Sequence, residues 1–440
     1  MNRTAPMQAG TDPAPRTVTG WTPLAVLATA QFLVVLSASI VNVALPPIRA
    51  GLGLSDAGQA WTVNAYVLAF GALLLAGGRA GDAYGLRRVF LTGTGLFAVS
   101  SLGAALAPSA AVLIACRAVQ GVGAALLAPT ALALVLTLHP TGRARGTALG
   151  VWGAVSGAGG AAGVLLGGVL TASYGWRAVF AVLVPLALTV LVATRLLVGA
   201  DRPRGGSMDV PGAVTVTAGL VALTYGLSGP WAFALFGLAL LAVFAVLQRR
   251  SAEPLLPARM KAVAVPGLLM ALLGAVWLGL FYFLPLYQQR VLGYSPLAAG
   301  LTQLPLALVI SLSSWATGRL SGRTVLPVGL LVLAAGLAWL SRTPADGSFP
   351  VDLLGPTLLI GTGLGVAFVR LTALSSAGVA PSDNGLAGGL ANATRQIGGA
   401  VGLSFLTLLP SYGAAFLACA GLTLVISLLS ALPARSTRKA

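Results

Sequence analysis

Three arginines lie inside long apolar stretches of the sequence, where a charge is costly to place. Arg117, Arg370 and Arg395 each fall well within a run of hydrophobic residues. A charged side chain at the centre of a bilayer costs about 2.5–3.5 kcal/mol on insertion scales. Such a side chain faces the protein interior and needs a partner there. We therefore expect at least one of the three to meet an anionic or carboxylated small molecule.

Other polar and aromatic side chains at the same depth are candidates for contact with a small molecule. The predicted substrate-binding residues are Ser37, Asn42, Asn64, Arg117, Gln120, Tyr282, Tyr287, Arg370, Asn392 and Arg395. Hydrogen bonding between helices is the alternative for each of them. For Arg117 and Arg395 the alternative partners are backbone carbonyls and the neighbouring amides of Gln120, Asn392 and Gln396.

Groups that bind protons or metals are scarce in the apolar stretches. All nine acidic residues fall in tails, loops or the edges of apolar stretches, and the one histidine, His139, ends the fourth stretch. A proton relay in a membrane uses Asp, Glu or His. The two cysteines, Cys116 and Cys419, give no disulfide framework or metal-ligand spacing. No catalytic residue, metal site or cofactor is expected.

The composition places these residues in a membrane. The chain has 440 residues, of which 57% are hydrophobic and only 8% are charged, whereas a soluble domain has roughly 25% charged residues. The net charge of +17 would suit a nucleic-acid partner. The basic residues are not clustered, however, but lie in short gaps between apolar stretches. The orientation of the chain in a membrane explains the basic residues better. We therefore expect a lipid bilayer as a partner and no nucleic acid.

The apolar stretches predict fourteen membrane-spanning helices, since a span needs about 20 apolar residues. They cover residues 22–45, 58–78, 88–107, 110–137, 145–171, 176–198, 210–229, 231–249, 263–288, 297–318, 325–341, 352–379, 385–409 and 411–432. The pairs at 210–249 and 385–432 are closely spaced. Twelve spans is the competing count, because loss of an adjacent pair leaves the orientation of the others unchanged.

The basic residues in the loops test this count. With fourteen spans, most of the 26 basic residues fall on the side of both termini. Only Arg49, Arg177, Arg290 and Arg342 fall on the other side. Basic loops face the cytoplasm, so both termini are expected there. The excess of arginine over lysine favours the cytoplasmic membrane of a bacterium.

Two short basic segments indicate an internal repeat. The first runs from Gly78 to Arg88 as GRAGDAYGLRR and follows the second predicted helix. A weaker copy, Gly318 to Arg323, follows the tenth. Repeats of several helices are typical of secondary transporters.

With these motifs the sequence resembles the major facilitator superfamily, in its fourteen-helix drug:proton antiporter branch. The segment at 78–88 matches the signature cytoplasmic motif of that family. Further matches are Ile40–Pro46 in helix 1, Arg117–Ala124 in helix 4, Phe283–Tyr287 and Leu292–Leu301 around helices 9 and 10, and Asn392–Gly399 in helix 13. The resemblance covers about residues 30 to 430.

The resemblance implies an all-α polytopic membrane protein with the major facilitator fold. It would have two six-helix halves, 21–200 and 263–432, two inserted helices within 201–262, and cytoplasmic tails at 1–20 and 433–440. It implies export of small hydrophobic or amphipathic compounds by alternating access and proton antiport, and the intramembrane arginines predict that anionic compounds are among them. It also implies a conformational motif comprising Gly78, Asp82, Gly85, Arg87, Arg88 and Arg143. We expect the protein to be a monomer.

The sequence departs from the family at two places that concern proton coupling. Ser37 stands where the family has an aspartate in helix 1, and the Gly-Pro of the family's helix 5 motif is absent from Gly163–Gly168. By helical rise, Ser37 and Arg117 lie about 12 and 10 Å below the outer ends of their helices, at matching depth. A facilitator without proton antiport and a membrane sensor on a transporter fold therefore stay open as alternatives.

Overall fold

The computed structural model describes residues 21–139, 142–199, 201, 209–251, 254–256, 260, 263–320, 322, 324–377, 379 and 384–431. The predicted tails at 1–20 and 433–440 lie outside these residues. The described residues form helices and short connections without a β-strand. Helices suit a bilayer because each one satisfies its own backbone hydrogen bonds where no water is present.

Fourteen helical segments follow one another along the described chain. They are α1 (Trp21–Leu52), α2 (Asp56–Tyr84), α3 (Leu86–Ala105), α4 (Ala110–Leu138), α5 (Gly142–Tyr174), α6 (Ala178–Leu197), α7 (Val210–Ser228), α8 (Trp231–Arg250), α9 (Ala264–Arg290), α10 (Pro296–Thr317), α11 (Val325–Leu340), α12 (Phe349–Ser375), α13 (Asn384–Leu406) and α14 (Tyr412–Ala431). Short breaks interrupt α6 at Val182 and α10 at Gln303.

Twelve of these helices are long and apolar enough to span a membrane. The chain is therefore a multi-pass membrane protein. The other two are α11, with 16 residues, and α13, whose polar and small residues lower its hydropathy. Each predicted span has a helix in the structure, and the crossing of the membrane by α11 and α13 stays a prediction.

The helices pack in two groups that are separate along the chain. In the first helix group, α1 to α6, α2 and α3 lie on α4, and α1 lies on α5 and α6. In the second helix group, α9 to α14, α9 lies on α13 and α14, and α12 lies on α10 and α11. The groups meet where α2 contacts α13, where α5 contacts α10 and where α1 contacts α9.

The two helices between the groups lie at the periphery. Helix α7 packs on α8, α2 and α13, whereas Gly237 is the buried residue of α8. The outer surface of α8 carries Phe233, Leu235 and Phe236 in exposed positions. A helix apolar on its exposed face is stable only when lipid covers it.

The connection between α2 and α3 corrects one sequence-based expectation. The segment 78–88 was predicted to be a loop, but α2 continues to Tyr84 and α3 begins at Leu86. Only Gly85 is non-helical, with φ +98, a conformation that favours glycine because it has no Cβ. The helical path satisfies backbone groups that a loop would leave to solvent, so the prediction of a loop was wrong.

Asp201 caps the start of α3 across a long separation in sequence. Its two carboxylate oxygens accept hydrogen bonds from the backbone N–H groups of Leu86, at 2.6 Å, and Arg87, at 2.9 Å. The first N–H groups of a helix have no partner within the helix, and a negative charge there also meets the positive end of the helix dipole.

We expect Asp201→Ala to destabilise the protein by about 1–2 kcal/mol, the usual cost of a lost helix cap. Asp201→Asn keeps one acceptor oxygen and should lose less than half of that. Thermal unfolding of the purified variants in detergent measures both. Equal unfolding temperatures for Asp201→Ala and the unsubstituted protein would contradict the assignment.

Candidate functional site

Arg117 on α4 is the largest fully buried side chain in the described part of the chain, with 1% of its surface exposed. Its Nε donates to the Thr62 carbonyl at 3.0 Å, and its Nη1 donates to Ser37 Oγ at 3.2 Å and to Gln120 Oε1 at 2.6 Å. The matching depth predicted for Ser37 and Arg117 thus corresponds to a contact. Three predicted site residues, Ser37, Arg117 and Gln120, lie together.

Aromatic rings and a further amide surround this guanidinium. The Tyr66 ring centroid lies 4.3 Å from Arg117 Cζ, and that of Phe180 lies 6.0 Å away. An aromatic face attracts a cation, and does so more strongly when the pair is desolvated. Gln120 Nε2 in turn donates to Ser101 Oγ at 2.7 Å. The cluster therefore joins α1, α2, α3, α4 and α6 around one charge.

No carboxylate of the described residues takes part in this cluster. Each aspartate in the described part of the chain lies in a connection or near a helix end, namely Asp56, Asp82, Asp201, Asp209, Asp346 and Asp352. The charge of Arg117 is stabilised by neutral acceptors and rings, and a carbonyl bonded to a charged donor contributes about 1.5–3 kcal/mol. In this conformation protein groups enclose the guanidinium.

Arg395 and Asn392 form a second cluster on α13. Arg395 Nη2 donates to Asn392 Oδ1 at 2.9 Å, and its Cζ lies 5.7 Å from the Trp277 ring centroid and 5.9 Å from that of Phe368. Arg395 is half-buried, in contrast to Arg117. It lies near the contact of α13 with α2, where a Cβ on Gly71 would come within 2.7 Å of the Gln396 Cβ.

The remaining predicted site residues do not join either cluster. Arg370 Nη2 donates to the Gly322 carbonyl at 2.9 Å and so fastens α12 to the connection between α10 and α11. Tyr287 donates to the Pro344 carbonyl at 2.7 Å. Tyr282 is buried with its ring edge-on to Phe283. The bonds of Arg370 and Tyr287 each join a helix to a connection.

Several buried amide groups keep an acceptor oxygen without a hydrogen-bond partner. Asn64 Nδ2 donates to Ser404 Oγ at 3.1 Å and so links α2 to α13, while its Oδ1 is unpaired. The side-chain oxygens of Asn42, Gln288 and Gln303 are also unpaired. An unpaired buried polar atom costs about 1–3 kcal/mol. Such oxygens on α1, α2, α9 and α10 are suited to accept from water or from a ligand.

The two ends of the bundle differ in how the helix groups meet. We call the end between α1 and α2 the Arg49 end, and the end between α2 and α3 the Arg88 end. Towards the Arg49 end, a Cβ on Gly168 of α5 would come within 2.7 Å of the Pro296 carbonyl oxygen of α10. Towards the Arg88 end, a Cβ at Gly146, Gly150 or Gly153 would meet nothing within 4 Å. Helices α5 and α10 thus touch at one end and separate at the other.

Where α5 and α10 diverge, they border a cavity of about 480 Å³. Its lining is Gly157, Ala158, Ala161, Leu304, Pro305, Ala307, Leu308 and Ser311. Only Ser311 offers a polar side chain. The cavity lies between the two helix groups, so a change in their separation would change its size.

The predicted conformational motif lies at the Arg88 end. Gly78 and Asp82 are in the last turns of α2, Gly85 makes the turn, and Arg88 is exposed on α3. Arg87 Nη2 donates to the Arg195 carbonyl at 2.8 Å, which ties α3 to α6. The sixth predicted member, Arg143, is exposed in the first turn of α5.

Sequence reasoning missed several contributors to these sites. Thr62 supplies a backbone carbonyl, for which the sequence has no signal, whereas Ser101 and Ser404 supply hydroxyl acceptors that only the serine content of the apolar helices could indicate. Asp201 was placed in a connection without a role. Its contact with α3 joins residues far apart in sequence, and no local pattern predicts such a contact.

Known proteins are similar to this chain in sequence and in fold. A Major Facilitator Superfamily model matches residues 27–403. The cephamycin export protein CmcT of Amycolatopsis lactamdurans is 42% identical over 462 aligned residues, which cover 96% of this chain and 95% of that protein. The puromycin resistance protein pur8 of Streptomyces alboniger is 42% identical over 407 residues, covering 88% and 81%. The solved structure of a peptide transporter, POT in complex with sulfate, superimposes with a TM-score of 0.71 at 17% identity, covering 96% and 95% of the two chains.

Proposed function

The chain belongs to the major facilitator superfamily, and from this premise we propose that it exports small hydrophobic or amphipathic compounds, antibiotics among them, by alternating access. It is a membrane transporter and not an enzyme. The two relatives named for cephamycin export and puromycin resistance support the choice of substrate class. We take residues 21–200 and 263–432 as the two moving halves, with the inserted helices within 201–262 between them.

The observation that carries this proposal is the unequal contact between α5 and α10. The helices touch at Gly168 and Pro296 and diverge around the apolar cavity. This is the arrangement expected of a transporter closed at one side of the membrane and open at the other. The apolar lining suits a hydrophobic compound.

We assign the Arg88 end to the cytoplasm and the Arg49 end to the outside of a bacterial cell. Exposed or half-exposed arginines at the Arg88 end include Arg87, Arg88 and Arg143, and such residues favour the cytoplasmic side. On this assignment both termini are cytoplasmic and the cavity opens inward. We also propose that the protein works as a monomer, because each half supplies helices to the cavity of the same chain.

Transport by the purified protein tests the exporter proposal. The full chain is reconstituted in liposomes, and puromycin uptake is measured into the fraction whose Arg88 end faces outward. Orientation is determined with a membrane-impermeant thiol reagent on a cysteine introduced at either end, because Cys116 and Cys419 lie within helices. Uptake above that of protein-free liposomes is expected. Equal uptake by both kinds of liposome, for puromycin and for a cephamycin, would contradict export of such compounds.

The energy source separates two candidate functions. The family resemblance implies proton antiport, and the second candidate is a carrier without it. The second is favoured by one observation: Ser37, and no carboxylate of the described residues, contacts Arg117. A proton relay within the membrane uses Asp, Glu or His, and the described aspartates lie at helix ends or in connections.

We expect an imposed pH gradient to change the initial rate of puromycin transport by less than about twofold, since the described spans hold no relay carboxylate. Ser37→Asp places a carboxylate beside Arg117 and should make the rate depend on the gradient. Ser37→Asn, which adds a neutral group of similar size, is the control. A strong dependence in the unsubstituted protein would restore proton antiport.

A further inference from the structure

A cluster of charges joins the two helix groups at the Arg49 end. Arg49 lies near the end of α1, Asp56 begins α2, and Arg290 ends α9. Arg49 Nη1 donates to Asp56 Oδ1, and Arg290 Nη1 lies 3.5 Å from the same oxygen. One carboxylate oxygen therefore bridges the first helix group to the second.

The cluster has more positive than negative charge. Two guanidinium groups share the single carboxylate of Asp56, whose side chain is 73% exposed. Ion pairs at such exposure contribute about 0–1 kcal/mol, because water and salt screen them. The bridge is consequently weak enough for another anion to replace Asp56.

A buried amide beside Arg290 points to such an anion. Gln59 is fully buried, and its Oε1 accepts from Arg290 Nη2. The nitrogen of the same amide, Nε2, has no hydrogen-bond partner. A buried N–H without an acceptor costs about 1–3 kcal/mol. Gln59 therefore holds the Arg290 guanidinium beside the cavity and leaves its other N–H donors for an anion.

The space for a ligand is already present. A cavity of about 600 Å³ adjoins both arginines, and the rest of its lining is Pro46, Ala50, Gly53 and Leu54. Guanidinium groups bind carboxylates through paired N–H donors, and Pro46 and Ala50 add a smaller apolar surface beside them. The lining fits an amphipathic compound with one carboxylate.

We propose that this cavity is an exit site for the carboxylate of an exported compound, which Arg49 and Arg290 bind in exchange for Asp56. The idea rests on the exporter function proposed above and adds a substrate class to it. When the site is empty, Asp56 adds an ion pair between α2 and α9 to the contacts that keep the Arg49 end closed. When a carboxylate arrives, Asp56 is displaced, and the ion pair between α2 and α9 is lost while the Arg290–Gln59 hydrogen bond remains, so the contact of the helix groups at this end is weakened.

Binding is tested first, without any need for transport. The probes are 1-naphthoate and its methyl ester, with sodium chloride as the third ligand, added to the full chain in detergent. A ligand that binds only the folded protein raises the unfolding temperature. We expect naphthoate to raise the unfolding temperature and the ester and chloride to change it little. In Arg49→Gln and Arg290→Gln, naphthoate should no longer raise it. Asp56→Asn should enlarge the rise, because the competing carboxylate is gone.

Matched variants guard against a loss of folding. Arg290→Lys keeps the charge and should keep part of the naphthoate effect. Arg342→Gln removes an exposed positive charge from the same end of the bundle and should keep all of it. An equal response to naphthoate in the unsubstituted protein and Arg290→Gln would overturn the site. An equal response to chloride and naphthoate would mean general anion binding and would overturn it as well.

Transport then separates this proposal from the exporter function. In liposomes, Arg49→Gln and Arg290→Gln should lower naphthoate transport at least about fivefold and leave that of the ester within about twofold, because only the acid uses the guanidinium groups. Equal losses for both compounds would overturn the exit site and leave the exporter function intact. Naphthoate binding without transport of either probe or of puromycin would instead overturn the exporter function.

Discussion

Arg117→Gln should abolish transport and lower the unfolding temperature more than any other change of one polar side chain. The substitution leaves the Thr62 carbonyl and Gln120 Oε1 without their donor and removes the cation packed on Tyr66. Two lost bonds to a charged group and the resulting void cost about 2–4 kcal/mol. Five helices meet at this residue, so the loss affects the whole first helix group.

A graded series of variants separates structural support from contact with substrate. Arg117→Lys keeps the charge but cannot make the forked bonds to Thr62 and Ser37. Its unfolding temperature and its transport rate should therefore lie between those of Arg117→Gln and of the unsubstituted protein. Arg250→Gln, which removes an exposed arginine at the end of α8, is the control and should change neither the unfolding temperature nor transport by much. Unfolding in detergent and vesicle transport of an acid and its ester are the measurements.

The pattern of loss decides the role of Arg117. Because protein groups enclose its guanidinium in this conformation, we expect both the acid and the ester to lose transport together. A loss confined to the acid, with the unfolding temperature unchanged, would show instead that Arg117 meets an anionic substrate in another conformation. That outcome would contradict the structural role argued from the contacts.

Gly77→Ala should be far more damaging than Gly78→Ala, although the two residues are neighbours. A Cβ on Gly77 would overlap the Ala125 carbonyl oxygen, so α2 would have to move away from α4. Overpacking of this kind costs about 1–3 kcal/mol and occasionally more, and here the obstacle is backbone. A Cβ on Gly78 would meet the Pro129 Cβ at an ordinary 3.7 Å.

Thermal unfolding and the yield of folded protein after purification compare the two variants. Alanine is favoured over glycine inside a helix by about 1 kcal/mol, so Gly78→Ala should match or slightly exceed the stability of the unsubstituted protein. Gly77→Ala should give a lower unfolding temperature or little folded protein. Similar results for both variants would contradict the close contact of α2 with α4.

These neighbouring glycines illustrate the limit of prediction from the sequence. The motif singled out Gly78, whereas the backbone of α4 approaches Gly77. Which glycine faces the neighbouring helix depends on the rotation of α2 about its axis. Because α2 is apolar on almost every side, its sequence has no amphipathic pattern from which that rotation could be predicted. In lipid, apolar residues face outward as readily as inward, so hydropathy alone does not identify the packed face.

The sequence by itself determined the helical membrane architecture, the family and the depth of the three intramembrane arginines along their helices. Long apolar stretches leave the backbone no other stable form in a bilayer, and an arginine inside such a stretch must face protein. Depth along each helix follows from a fixed rise per residue, so the pairing of Ser37 with Arg117 could be anticipated.

Only the tertiary structure decided what surrounds each charge. It places Thr62 and Tyr66 around Arg117, assigns Arg370 to the Gly322 carbonyl, and brings Asp56 between Arg49 and Arg290. These partners come from separate helices, and their approach depends on helix rotation, tilt and close contact at small residues. None of these quantities is encoded in a local run of residues, because they follow from packing over the whole bundle.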